Sequence, residues 1–287
     1  MSRRSRPPTA EQPERHRPRK RFGQHFLHDR SVIERILSAV FDDRRVKGIA
    51  DDKQPMLEIG PGEGALTADL LTRARQLHVV EIDTDLAARL AERFGSNPGF
   101  HLHVGDVLRF DLRSVVTPPV RLRVVGNLPY NVSTPVLFAL LESIEFIADM
   151  HFMLQREVVQ RMAARPGSGD YGRLSVMLQS RCVVQKLFNV GPGAFRPPPK
   201  VESAVVRLLP REIPLIPAEQ QTVFEILVRE AFIQRRKQLA NSLKRYLSPE
   251  QLDSTGIRPD RRPETLEIEE FARLTELVHR AGAILRT

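Results

Sequence analysis

The sequence predicts an α/β fold in which a parallel sheet with helices on both faces is followed by a small all-α domain. Short apolar segments bounded by turn residues alternate with segments of helical spacing between residues 56 and 141, as in parallel βαβ units. A glycine-rich turn at residues 60–64 joins the first of these strands to the helix after it. Beyond about residue 217 the apolar spacing is helical throughout, which predicts a separate helical domain.

The predicted elements follow in chain order. The first is a helix over residues 31–41, with Ser31 as its expected N-cap and Glu34 in capping-box position. The alternating region then comprises strands at 56–59, 77–82, 101–104 and 121–125 and helices at 65–71, 84–94 and 134–141. Three more strands are predicted at 148–154, 182–188 and 201–209, with a helix beginning near residue 155. The C-terminal helices are predicted near 219–232, 234–246 and 267–281.

The composition of the 287-residue chain indicates a soluble, cytoplasmic protein. Hydrophobic residues make up 41% and charged residues 28%, and no apolar run approaches the roughly 18 residues that a membrane span needs. The single cysteine, Cys182, excludes an internal disulfide and fits a reducing compartment. We therefore expect no membrane association and no bound metal. We also expect a monomer, because no strong apolar surface pattern suggests self-association.

Most of the net charge of +9 lies at the N-terminus. Residues 1–21 contain eight basic and two acidic side chains and so carry +6 of it. This arm is rich in Arg and Pro and is predicted to be disordered. It is either a solubilising tail or an arm that neutralises phosphates on a nucleic acid.

Three features at the ends of the first strands predict a site for an adenosine-containing cofactor. Gly60 and Gly62 follow the first strand, where glycine permits a tight turn and a close approach of backbone N–H groups to a ligand. Glu81 ends the next strand, and a carboxylate there can accept both hydroxyls of a ribose. Asp106 follows the third strand and could bind an adenine amino group, although a turn-forming Asp gives the same pattern. These features fit a nicotinamide or flavin dinucleotide as well as S-adenosylmethionine.

The run Asn127-Leu128-Pro129-Tyr130 follows the fourth strand and resembles the signature of adenine-N6 methyltransferases, which use S-adenosylmethionine. The N6 lone pair of adenine is delocalised into the ring, so two acceptors that hold the N6 hydrogens would favour a reactive, pyramidal nitrogen. The Asn127 side-chain carbonyl and the Leu128 backbone carbonyl could supply them, and Pro129 stiffens the turn. Tyr130 offers a ring face to a base extruded from its stack. A plain Pro-containing loop before a helix is the alternative, but the position after a cofactor-type loop favours the functional interpretation.

Five longer stretches resemble one family, the bacterial small-subunit ribosomal RNA adenine-N6,N6-dimethyltransferases, which are the kasugamycin-sensitivity enzymes. They lie at residues 20–27, 147–155, 171–176, 195–205 and 231–237, and the resemblance extends from about residue 19 to the C-terminus. It implies a Rossmann-like, S-adenosylmethionine-dependent methyltransferase domain over residues 22–210 and a helical RNA- or ribosome-binding domain over residues 211–287. The implied substrate is two adjacent adenines in the 3′-terminal hairpin of 16S ribosomal RNA, presented on an assembling small (30S) subunit.

The resemblance also implies roles for single residues. The implied cofactor contacts are His25, Leu27, Gly60, Glu81, Asp106 and Asn127. Family members often have Asn where this chain has His25, so this position departs from the pattern. Phe152 either stacks on the target base opposite Tyr130 or belongs to the strand core. A basic cluster provides either phosphate contacts, which position RNA without reading its sequence, or only a solvated helix face. Its members are Arg235, Arg236 and Lys237, with Lys244 and Arg245.

Four other functions are open as alternatives. A methylase of large-subunit RNA, the class that confers macrolide resistance, is disfavoured by the match at residues 231–237. A DNA adenine methyltransferase usually carries a target-recognition domain, which we do not recognise in this sequence. An assembly factor would bind immature subunits and use methylation as a release step. A nicotinamide oxidoreductase would use the same glycine loop for a different cofactor.

Overall fold

The computed structural model describes residues 24–41 and 54–282. Its strands are β1 (Phe26–Leu27), β2 (Met56–Ile59), β3 (Leu77–Glu81), β4 (Phe100–Val104), β5 (Leu122–Asn127), β6 (Ile147–Gln155), β7 (Cys182–Val190), β8 (Phe195–Arg196) and β9 (Ser203–Pro210). Its α-helices are α1 (Arg30–Phe41), α2 (Thr67–Arg73), α3 (Thr84–Phe94), α4 (Ser133–Glu142), α5 (Arg156–Met162), α6 (Arg173–Arg181), α7 (Gln221–Ile233), α8 (Leu239–Ser242), α9 (Pro249–Ser254) and α10 (Ile268–Ala281). The predicted basic arm, residues 1–21, and the first four residues of the 20–27 motif lie outside the described residues.

The main sheet has seven strands in the order β4-β3-β2-β5-β6-β9-β7. The strands from β4 to β6 are parallel to their neighbours, and β9 lies antiparallel between β6 and β7. The predicted parallel sheet is therefore confirmed from β4 to β6, while the predicted extension of the sheet includes one antiparallel strand, β9. The physical reason is the connection, because β9 follows β7 through a loop instead of a crossover helix and must return in the opposite direction.

Different helices cover the two faces of the sheet. Side chains alternate along β2, so Met56 and Leu57 belong to two separate hydrophobic clusters. The cluster on one face includes side chains of α1, α2 and α3, and the cluster on the other includes side chains of α4, α5 and α6. This confirms the predicted α/β fold with helices on both faces.

The helices after β9 pack around a third hydrophobic cluster that is centred on Phe224, Leu227 and Phe271. This cluster also contains Met177 of α6 and the neighbouring Tyr171. The Tyr171 hydroxyl donates a hydrogen bond of 2.9 Å to the Leu266 carbonyl. A shared core therefore joins the C-terminal helices to α6. Among the described residues, none of the helices is both long and apolar enough to cross a lipid bilayer.

Two predictions about helices need correction. The first helix begins at Arg30, one residue before its predicted start. Its N-cap is Asp29, whose carboxylate accepts from the backbone N–H groups of Ser31 and Val32. The predicted helix over 234–246 is instead a turn followed by the four-residue α8. Residues 239, 243 and 247 are all buried leucines, so their helical spacing reflects packing into the third cluster and not a continuous helix. The helices α6 and α9 and the small β1–β8 sheet were not predicted.

Candidate active site

A cavity of about 230 Å³ opens at the carboxyl ends of β2, β3 and β5. In a sheet of this kind, ligands bind at this edge, where the strand order reverses. Residues of β1, which pairs with β8 and not with the main sheet, also line the cavity. The glycine turn and the N-terminal strand therefore both contribute to its wall.

The glycine turn is held by a buried carboxylate. Glu81 accepts a hydrogen bond of 3.2 Å from the Gly62 N–H and one of 2.9 Å from the Asp83 N–H. Gly60 and Gly62 have φ values of 64° and 60°, which residues with a Cβ rarely adopt. A Cβ on Gly62 would also lie 3.0 Å from the ring of Phe26, so β1 packs directly on this turn.

Two of the carboxylates that line the cavity are buried. Burial raises the pKa of Glu81, while the hydrogen bonds it accepts from the backbone oppose this rise. Glu58 is only 2% exposed and accepts a hydrogen bond of 2.6 Å from the Thr67 hydroxyl. Burial raises the pKa of Glu58 to about 7. A third carboxylate, Asp106, lines the cavity while one of its oxygens accepts from the Leu108 N–H at 3.0 Å. Asp106 thus caps a turn, which is the alternative role that the sequence pattern allowed, and it also faces the predicted cofactor site.

The motif after β5 lines the same cavity. Asn127 is the last residue of β5, and its Nδ2 donates to the His25 carbonyl at 3.1 Å. This bond leaves the side-chain carbonyl of Asn127 as the acceptor of the amide group. The Leu128 N–H donates to the Met153 carbonyl at 3.2 Å, which fixes the backbone of the turn to β6. The Pro129 carbonyl then accepts from the Val132 N–H and closes the turn before α4.

The ring of Tyr130 is held at both its face and its hydroxyl. The His25 ring stacks on it with a centroid distance of 5.6 Å and an angle of 30° between the planes. The Tyr130 hydroxyl lies 2.7 Å from the Ser203 hydroxyl at the start of β9. Burial raises the pKa of the Tyr130 phenol. His25 in turn donates through Nδ1 to the Pro197 carbonyl at 2.7 Å.

Phe152 lies elsewhere. It is fully buried in the centre of β6, where it pairs with Gly126 on one side and Val206 on the other. It does not line the cavity. Of the two interpretations of this residue, the structure therefore favours the strand core over base stacking.

The predicted basic cluster divides into two kinds of side chain. Arg235 donates to the Glu264 carboxylate at 2.7 Å and to the Gly169 carbonyl at 2.6 Å, so it joins two loops of the protein. Arg236 and Lys237 are exposed in the turn after α7. The cluster therefore lies on a turn and not on the helix face that the sequence predicted.

Three residues at the site were not singled out from the sequence. Glu58 has a recognisable signal, because a charged residue inside the fully buried strand β2 is unusual in a parallel sheet. Gln24 lines the cavity and donates to the Asp83 carboxylate at 3.2 Å. Ser203 contacts Tyr130 although the two residues are 73 positions apart in the chain, and no local sequence pattern predicts that contact.

The residues around the cavity fit an adenosine-containing sulfonium cofactor. The buried Glu81 carboxylate beside the glycine turn suits a ribose, and Asp106 is placed to accept from an amino group. Apolar side chains of Ile82, Val107 and Leu108 line the cavity between them and suit the faces of a purine ring. Within residues 24–41 and 54–282, no group of three or more His, Cys, Asp or Glu side chains could hold a metal ion.

The chain is similar in sequence to known ribosomal RNA methyltransferases. Residues 15–280 match the family model described as ribosomal RNA adenine dimethylase. A protein of Pseudomonas savastanoi pv. phaseolicola named ribosomal RNA small subunit methyltransferase A is 55% identical over 91% of this chain and 94% of its own length. A protein of the same name from Nitrosococcus oceani is 54% identical over 91% of this chain and 96% of its own length.

Solved structures of similar proteins have the same fold. A dimethyladenosine transferase from Plasmodium falciparum has a TM-score of 0.74 at 24% identity and covers 90% of this chain and 98% of its own. The 23S rRNA methyltransferase ErmE has a TM-score of 0.67 at 30% identity and covers 88% of this chain and 99% of its own. These likenesses confirm the Rossmann-like methyltransferase fold.

The family match and the relatives agree with the chemistry of the site. They confirm the predicted enzyme class, a ribosomal RNA adenine dimethylase, and its dependence on S-adenosylmethionine. The nicotinamide oxidoreductase is thereby excluded. The chain belongs to the ribosomal RNA adenine dimethylase family.

Proposed function

We propose that the protein dimethylates N6 of two adjacent adenines in the 3′-terminal hairpin of 16S ribosomal RNA. It would act as a monomer in the cytoplasm, on the small (30S) ribosomal subunit during its biogenesis. Relatives at 54–55% identity are named for the small subunit, whereas ErmE, named for 23S RNA, is 30% identical. This difference favours the small subunit as the substrate.

One observation carries the proposal. Asn127, Leu128, Pro129 and Tyr130 line the same cavity as the glycine turn and Glu81. A base acceptor site and a cofactor site therefore share one enclosed space. Proximity and orientation of the two reactants supply most of the rate enhancement in such a reaction.

The cofactor side of the cavity has a defined set of candidate contacts. When bound, S-adenosylmethionine supplies an electrophilic methyl group on a sulfonium. Glu81 would accept from the ribose hydroxyls, and Asp106 would accept from the adenine amino group. The remaining contacts we propose are His25, Leu27, Gly60, Gly62 and Asn127. The acceptor oxygens of Glu81 are fixed before binding, because its carboxylate is already held by two backbone N–H groups.

The target adenine is activated by position and not by a base. The Asn127 side-chain carbonyl and the Leu128 backbone carbonyl would each accept one N6 hydrogen and turn the nitrogen lone pair toward the methyl group. After transfer, N6 carries a positive charge, and its surplus proton is acidic enough to pass to water. Pro129 keeps the two carbonyls in a fixed turn.

Tyr130 would stack on the target base after the base leaves its helix. Stacking of a base on an aromatic side chain contributes about 1–3 kcal/mol. After the first transfer only one N6 hydrogen is left for the two carbonyls. The second transfer therefore depends more on stacking and less on hydrogen bonds than the first.

We propose that residues 22–210 carry the methyltransferase site and that residues 211–287 bind the ribosomal RNA. Arg236 and Lys237 are exposed cations that suit phosphate contacts. Arg235 is already engaged by Glu264 and the Gly169 carbonyl, so its part would be to fix the turn that presents the two exposed cations. The predicted basic arm would add phosphate contacts.

Methyl transfer from labelled S-adenosylmethionine tests the proposal. The substrates are small subunits that lack this modification, large subunits and DNA, and mass spectrometry of digested product locates the label. We expect N6,N6-dimethyladenosine in small-subunit RNA alone. The rate of methyl transfer should fall at least about tenfold in an Asn127→Ala variant, because this variant lacks one of the two acceptors of the N6 hydrogens. Label in large-subunit RNA would contradict the proposal. An Asn127→Ala variant that rescues subunit assembly without methylation would favour the assembly factor.

A further inference from the structure

We propose that Ser203 is a positioning residue, which through its hydroxyl fixes the ring of Tyr130 and so determines how completely mono-methylated adenine goes on to the dimethylated product. The inference rests on the proposed function, because it concerns the second of two transfers at the same site. Ser203 does not line the cavity and would not touch the substrate. Its effect would be exerted through Tyr130 alone.

Ser203 is a rigid anchor. It is the first residue of β9 and is fully buried. Its neighbours in the sheet are Gln155 of β6 and Val190 of β7, so strands on both sides hold its backbone. A hydroxyl in this place has little freedom to follow a moving partner.

Tyr130 needs such an anchor. It lies outside any helix or strand, in the loop between β5 and α4, and its side chain is only half-buried. The hydroxyl contact of 2.7 Å to Ser203 and the stacked ring of His25 both restrain its ring. His25 is itself held by the Pro197 carbonyl. The chain from Pro197 to Ser203 therefore restrains the ring of Tyr130 from two directions.

The restraints on the Tyr130 ring act before the base binds. A ring that is already fixed loses no rotational freedom when a base stacks on it, whereas a loose ring does. A neutral hydrogen bond of this kind corresponds to about a three- to tenfold change in an equilibrium. Loss of the Ser203 hydroxyl should weaken productive stacking by that factor while it leaves the acceptors Asn127 and Leu128 in place.

The second transfer should be affected more than the first. Unmodified adenine offers two N6 hydrogens to the two carbonyls, and these hold the base even when the ring of Tyr130 is loose. The mono-methylated base offers one hydrogen and carries an added methyl group, so its orientation depends mainly on the ring. We therefore expect mono-methylated adenine to accumulate in a Ser203→Ala variant.

The test is a double-mutant cycle on the full-length protein with small subunits as substrate. The variants are Ser203→Ala, Tyr130→Phe and the pair, and Ser180→Ala is the matched control. Ser180 is also a buried serine, and its hydroxyl donates to the Met177 carbonyl at 2.8 Å, away from the cavity. The ratio of mono- to dimethylated adenine and the separate kcat and KM values for each transfer are measured, together with urea unfolding.

We expect Ser203→Ala and Tyr130→Phe each to raise the mono- to dimethyl ratio about three- to tenfold, and the pair to raise it no further than either alone. Ser180→Ala should leave the ratio unchanged. A Ser203→Ala variant with the wild-type ratio, or effects that add in the pair, would overturn the inference. If Ser203→Ala does not fold, Tyr130→Phe removes the same bond from the other side, and a wild-type ratio in that variant would be equally decisive.

Failure of the inference differs from failure of the proposed function. Wild-type protein that leaves small-subunit adenines unmodified would refute the proposed function. Wild-type protein that dimethylates them, while Ser203→Ala behaves like Ser180→Ala, would refute the role of Ser203 alone. The unfolding cycle shows independently of activity whether the two hydroxyls interact, because coupled stability losses require the bond.

Discussion

Replacing Glu58 by Gln should remove a large part of the pH dependence of stability. Glu58 lies inside β2, lines the cavity and is 2% exposed. Burial raises the pKa of its carboxyl from 4.5 to about 7, and the nearby Glu81 adds to this, whereas the hydrogen bond from Thr67 opposes it. Glutamine has the same shape, can accept the same hydrogen bond through its carbonyl and does not ionise. The variant therefore changes little except the charge.

The sign of the effect follows from proton binding. Because the pKa of Glu58 is higher in the folded state than in the unfolded chain, the folded state binds more protons between the two values. The stabilisation from its neutral form is complete below pH 4.5 and is lost as the pH rises through about 7. A rise from 4.5 to about 7 corresponds to about 3 kcal/mol. The Glu58→Gln variant should not lose this stability as the pH rises, because glutamine does not ionise.

The assay is urea unfolding of both proteins from pH 4 to 8, with the difference in unfolding free energy plotted against pH. Other groups also titrate in this window, among them His78 and His151, whose pKa values burial lowers to about 4. Their contributions are the same in both proteins and cancel when the two unfolding free energies are subtracted. We expect the wild type to lose about 3 kcal/mol relative to the variant between pH 4.5 and 7. A flat difference would refute the reasoning.

A bound cation gives a second readout of the same carboxyl. A sulfonium in the cavity favours ionised Glu58 and so lowers its pKa. Saturating S-adenosylmethionine should therefore move the wild-type transition to lower pH. S-adenosylhomocysteine, which lacks the sulfonium charge, should move it less, and neither ligand should produce such a shift in Glu58→Gln.

Three further predictions concern charged side chains away from the cavity. Asp149 is buried and accepts bidentate hydrogen bonds from Arg123. Asp149→Asn should therefore lower the free energy of unfolding, measured by urea denaturation, by about 3 kcal/mol. A loss below about 1 kcal/mol would contradict this. Arg236→Ala with Lys237→Ala should reduce the slope of log affinity for the small subunit against log salt concentration by about two, with melting temperature unchanged. Arg235→Ala should instead lower stability and leave that slope unaltered, because its partners lie within the protein.

Elements with strong periodicity were predictable, since their patterns reflect local packing. The helix at Thr84–Phe94 has the predicted bounds, and the strand at Met56–Ile59 likewise. The last helix, predicted near 267–281, is confirmed as α10 (Ile268–Ala281). The region between residues 234 and 254 was not predicted well, because leucines at helical spacing also occur where separate turns pack into one core. There, long-range bonds from the backbone N–H groups of Leu239 and Ala240 to the carbonyls of Arg261 and Pro259 replace helical ones.

The candidate site was predictable wherever its residues lie at the carboxyl ends of parallel strands. Gly60, Gly62 and Asp106 follow such ends and Glu81 is the last residue of its strand, and the parallel order of the strands brings them together. The environment of a side chain was not predictable in the same way. Phe152 belongs to a matching motif but is fully buried in the hydrophobic cluster on one face of the sheet, which the pattern of hydrophobic residues in one strand does not reveal.

The antiparallel direction of β9 explains how the most distant parts of the site meet. A parallel strand beside β6 would present its last residue, Pro210, at the carboxyl edge where the cavity opens. Because β9 runs the other way, its first residue, Ser203, pairs with Gln155 at that edge and reaches Tyr130. The loop before it then also lies at this edge and bonds to His25. The antiparallel strand β9 therefore supplies the restraints on Tyr130, and these restraints are what the Ser203 variants test.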